Sequence, residues 1–153
     1  MPAERRRQAA EAFWRDETGK EEQAQAIGAI AQRLKFRVKS AAVLPTPRKI
    51  QYLLDLIVVP EPVAARLLTS YHVEHQRPMM AAFLNALEVK HDNGMMDEET
   101  VIPADPDKIR AAVKTIAASF PPDDVALYLS TLSWQDPATW SALPELPETR
   151  PAG

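Results

Sequence analysis

The chain contains no cysteine and only four glycines in 153 residues. The first absence excludes disulfides, thiolate metal centres and cysteine nucleophiles, and it is compatible with a reducing cytoplasm. The second leaves little material for glycine-dependent hairpin turns or phosphate-cradling loops. Long apolar runs are missing as well. The stretch from Ile50 to Val59 is interrupted by Gln51 and Asp55, whereas roughly 20 apolar residues are needed to cross a bilayer. Three arginines at positions 5–7 lead into Ala, Glu, Phe and Trp rather than an apolar signal core, so the expectation is a cytoplasmic protein without membrane association. No nucleophile elbow stands in the sequence, and Ser70 and His72, two apart on a predicted helix, point in different directions.

Proline, by contrast, is abundant, with fourteen residues. Six of them open stretches with helical apolar spacing: Pro47, Pro62 and Pro78, then Pro106, Pro122 and Pro137. Proline suits the first helical position because its fixed φ fits there and its missing N–H has no intrahelical partner to lose. Apolar residues follow each start at three- and four-residue intervals, as in Ile50, Leu53, Leu54 and Ile57, or Ile109, Ala112, Val113 and Ile116. The stretch after Pro78, with Met79, Met80, Phe83, Leu84 and Leu87, is the most apolar and predicts the central helix. Ahead of the prolines, residues 4–16 read as one helix, and Thr18 with Glu21 makes a capping box for a second. The alternating segment Arg33 to Lys39 has no partner strand and reads as a fraying helix end or an extended segment on the core. The sequence therefore predicts an all-α fold, a compact bundle of about eight short helices.

Hydrophobic residues at 46% and charged residues at 25% are ordinary for a globular chain, and the length suits one domain. The expected organisation is a single helical domain over 1–143, with a proline- and charge-rich disordered tail over 144–153. The proline steps of 15 and 16 residues, then 16 and 15, suggest an internal repeat over 46–87 and 105–143 preceded by an N-terminal helical pair. Two such three-helix units, stacked, would resemble the layout of armadillo or HEAT-type helical repeats, although none of their sequence signatures is present.

Charge is unevenly spread. Residues 1–50 hold 11 Lys/Arg against 6 Asp/Glu, about +5, while residues 91–153 hold 4 against 11, about −7. Such polarity can align protomers head to tail or give the basic half a polyanionic partner. The strip Arg33, Lys35, Arg37 and Lys39, continued by Arg48 and Lys49 with Phe36 among them, is a candidate nucleic-acid surface. The acidic total and the lack of a basic recognition helix weigh against that reading.

His72, His75 and His91 are the only histidines. The first two share a helix face at a spacing that two metal ligands can use, and Glu88 with His91 forms Glu-x-x-His. This set supports an alternative reading, a divalent-metal enzyme or metal-binding protein with Glu74 or Glu88 as further ligand or base. A calcium loop around Gly94 fails on spacing, because its first and twelfth positions would be Val89 and Thr100. With no catalytic set and no cofactor motif, the leading expectation is a non-catalytic helical interaction or scaffolding module. Its partner would be another protein or a second copy as a homodimer.

Overall fold

The computed structural model describes residues 2–97 and 99–150, and among them the chain is all-helical, with eight α-helices and no strand. These are α1 (Ala3–Arg15), α2 (Lys20–Leu34), α3 (Val38–Ala42), α4 (Thr46–Leu54), α5 (Glu61–His75), α6 (Arg77–Ala86), α7 (Pro106–Ser119) and α8 (Pro122–Gln135), followed by a 3₁₀ turn at Pro147–Thr149. None is long and apolar enough to cross a membrane. Contacts divide the chain into two units, Met1–Glu74 and His75–Gly153.

Five of the six prolines stand in the first turn of a helix, namely Pro47, Pro62, Pro78, Pro106 and Pro122. Side-chain capping adds to proline only at α7, where the Asp105 carboxylate accepts from the Asp107 N–H at 3.0 Å. Pro137 is the exception: residues 137–142 form turns rather than the expected helix. Only six residues separate Pro137 from Pro144, too few to offset the cost of helix nucleation, and the Asp136 side chain instead accepts from the Thr139 N–H. The second proline group thus lacks its third helix and does not reproduce the first. Residues 144–150, at the start of the segment read as a loose tail, carry the 3₁₀ turn, which packs against α8. There Leu146 is buried, Ser130 Oγ donates to the Thr149 carbonyl and Thr149 Oγ1 donates to the Leu143 carbonyl. Residues 151–153 lie outside the described residues.

In the N-terminal unit α4 packs on α1 and α2, and α3 packs on α2. The core is built from Phe13 of α1, Ala26, Ile27 and Ile30 of α2, Ala41 of α3, Leu53 of α4 and Val63 of α5. Each fully buried side chain of Ile or Phe size contributes about 1.5–3 kcal/mol. The Thr18–Glu21 capping box does not form. Gly19 is the N-cap of α2, and Thr18 turns back so that its N–H and hydroxyl both donate to Asp16 Oδ1, at 2.9 and 2.6 Å. An aspartate two residues upstream offers the backbone an Asx turn, which wins over the cap.

In the C-terminal unit α7 packs on α6 and α8. Ile109, Ala112, Val113 and Ile116 form the buried stripe of α7. Phe83 of α6 meets Tyr128 of α8 edge-on at 5.7 Å and lies 5.7 Å from the buried Trp140 ring. Burial pushes the Tyr128 hydroxyl well above its ordinary pKa, so it stays protonated.

Candidate functional site

The histidines occupy three different settings. His72 is buried in α5, and its Nδ1–H donates to the Leu68 carbonyl at 2.7 Å. His75 ends α5 and is exposed. His91 lies in the loop after α6 with both ring nitrogens engaged: Nδ1 accepts from the Gly94 N–H at 2.9 Å and Nε2–H donates to Asn85 Oδ1 at 2.7 Å. Glu88 is exposed in the left-handed position just past α6, where its N–H bonds the Asn85 carbonyl and the Val89 N–H bonds the Leu84 carbonyl. These bonds satisfy the helix end, so Glu-x-x-His here is a helix stop and a turn. Gly94 adopts φ +88°, and a Cβ there would lie 2.7 Å from Met80 Cβ, so the loop is pressed against α6. Among the described residues no group of three or more His, Asp or Glu side chains could hold a metal ion.

A polar cluster that sequence reasoning missed centres on Asp16. Ser70 Oγ donates to its Oδ2 at 2.8 Å, and Arg66, 3.7 Å from Oδ2, also pairs with Glu22 at 3.3 Å. Burial opposes the charge on Asp16, but the Thr18 hydroxyl, Ser70, the Thr18 N–H and the Arg66 guanidinium together hold its carboxyl below the ordinary value. Ser70 donates its one hydroxyl hydrogen bond to the Asp16 carboxylate. The cluster therefore ties the α1–α2 turn to α5, helped by the Arg15–Glu74 pair. Its members are 54 residues apart in sequence, and only the local Asp16–Thr18 turn could have been read from the sequence.

The basic strip is a surface feature. α2 stops at Lys35, which takes the left-handed conformation (φ 58°), and the Phe36 N–H closes the end on the Ala31 carbonyl at 2.9 Å. The chain then leaves α2 and makes the single turn α3, of which only Ala41 is buried. Arg33, Lys35, Phe36, Arg37, Val38, Lys39, Val43 and Arg48 are all exposed. The segment expected to fray or to lie extended on the core does neither. It turns sharply and carries Phe36 at 46% and Val38 at 58% exposure, and Val43 beyond it is 81% exposed. Among the described residues Arg33, Lys35, Arg37, Lys39 and Arg48 have no ion-pair partner. Lys49 is different, with its ammonium 5.5 Å from the centre of the Trp14 ring. No Asp or Glu occurs between Glu22 and Asp55, so the nearest carboxylates in sequence lie outside the strip.

The C-terminal unit carries a groove of about 690 Å³ between the loop at 96–104, the start of α7 and the turns at 136–142. Its apolar lining includes Val101, Ile102, Ile109 and Trp140, and among the described residues its charged lining is Asp97 and Asp136, with no Lys or Arg. The Thr100 hydroxyl donates to Asp97 Oδ1 at 2.9 Å and, with the Glu99 N–H and the charge of Lys90, holds that carboxyl below its ordinary value. The groove is negative at neutral pH.

The chain matches no family model, no curated protein and no solved structure. What the structure brings together is the strip at the end of α2, with apolar side chains standing among cations that have no ion-pair partner among the described residues. Sequence reasoning had singled out the cations but not the exposure of Val38 and Val43. It missed the groove, whose walls come from segments about 40 residues apart.

Proposed function

We propose that the chain is a non-catalytic helical interaction module of the cytoplasm that binds a protein partner through the end of α2, α3 and the start of α4. The observation that carries this reading is the exposure of Phe36, Val38 and Val43 among five cations that have no ion-pair partner among the described residues. Leaving such apolar area in water forgoes about 25 cal/mol per Å². Apolar side chains ringed by polar ones make up the ordinary anatomy of a protein interface, with a dry centre and a wet rim. Aliphatic side chains favour protein over nucleic acid as the partner, because protein–nucleic acid interfaces are polar and use aromatics or guanidinium planes for stacking. Phe36 is the only aromatic side chain in the strip, whereas Val38 and Val43 offer no stacking plane.

A photo-crosslinking residue at position 36 or 43, in living cells, tests the reading. A discrete protein adduct is expected at these positions, absent when the label is at the exposed Lys114 and lost on Arg37→Glu. Equal labelling at position 114, or adducts to nucleic acid alone, would overturn it.

A further inference from the structure

Resting on that reading, we infer that the protein partner of the basic strip is a second copy of this chain, which receives the strip in the acidic groove of its C-terminal unit. The two surfaces match in chemistry. The strip offers Arg37 and Lys39 flanking Val38, with Phe36 alongside. The groove offers Asp97 and Asp136 around Val101, Ile102 and Trp140; among the described residues no cation is part of its lining, and Lys90 is the cation that acts on Asp97. Its volume, about 690 Å³, falls in the range of clefts that enclose small ligands, about 300–1,000 Å³, so it can take the side chains of a short segment. Val101 at its rim is 82% exposed, an apolar group in open water that an apolar partner would cover. Charge complementarity of this kind sets both register and on-rate. Because strip and groove are different surfaces, the contact is heterologous, and a bound pair still presents one free groove, on the copy whose strip is used, and one free strip, on the other.

Sedimentation velocity on the full chain provides the test. Association should grow with protein concentration at low salt and weaken at least about tenfold in Kd at high ionic strength, where exposed charges are screened beyond about 3 Å at 1 M. The strip variant R37E/K39E and the groove variant V101E, all at exposed positions, should each sediment as a monomer. Mixed together they should form a one-to-one dimer and stop, because only one competent strip and one competent groove remain. A wild-type chain that stays monomeric at every concentration and salt overturns the inference, yet the crosslinking result at position 36 would still decide whether the strip binds some other protein. Association that R37E/K39E abolishes and V101E leaves intact would likewise overturn the groove as receptor.

Discussion

The two units solve the same problem, stopping a helix without glycine, and turn the solution to different ends. In the N-terminal unit α2 ends on Lys35 and in the C-terminal unit α6 ends on Glu88, both left-handed at φ 58° and both succeeded by an N–H reaching back five residues. After Glu88 the chain folds back on its own helix, with Val89 buried, His91 bonded to Asn85 and Gly94 seated against Met80. After Lys35 it heads outward into α3 and leaves its side chains in solvent. Identical backbone endings thus give one closed loop and one presented edge. The difference lies in the residues downstream of each stop, which are three inward anchors in the closed loop and alternating cations with one buried alanine in the presented edge.

The largest effects should come from the separate cores. Phe13→Ala in the N-terminal unit and Phe83→Ala in the C-terminal unit should each cost about 3–5 kcal/mol in denaturant unfolding. If each substitution shifts only one of two transitions, the units unfold independently. A single shared shift would break the comparison at its root.

Of intermediate size is the Asp16 cluster, which has no counterpart among the described residues of the C-terminal unit. Asp16→Asn should destabilise by about 1–3 kcal/mol, since Ser70 and Arg66 lose a charged acceptor. Because the folded carboxyl lies below its ordinary value, its contribution is full above the unfolded pKa, near 3.8, and is lost as pH falls through the folded one. Thermal melts of wild type should therefore fall more steeply below about pH 4 than those of Asp16→Asn. Parallel curves would show that Asp16 contributes nothing to acid sensitivity.

The smallest expected effect is the sharpest comparison. Lys35→Gly and Glu88→Gly each relieve a left-handed non-glycine residue and should each stabilise by about 0.5–1 kcal/mol. Similar gains would confirm that the two endings are energetically alike. A loss at either site would show that its side chain makes a contact worth more than the backbone relief.

Much of this fold was legible because proline and apolar spacing act locally: Pro47, Pro62, Pro78, Pro106 and Pro122 all fall where a helix begins. Pro137 misled because a helix start is not a helix, and Pro144 comes too soon for a stable turn count. Thr18 misled because its hydroxyl could either cap α2 or donate to Asp16, and the nearer carboxylate took it. The cations of the strip could be read from composition, but the exposure of Val38 could not, since period-two alternation says nothing of which face meets a core, and Val43 lies beyond that alternation. Asp97 and Asp136 became neighbours of one groove only through tertiary packing.

Ala41 is the only buried side chain of α3, which packs on α2. An element held by so little peels away at small cost, and its amides should exchange with deuterium among the fastest of any helix in the chain. Under the proposed function, the binding edge is therefore a five-residue helix with one buried side chain, able to reshape itself to the contour it meets.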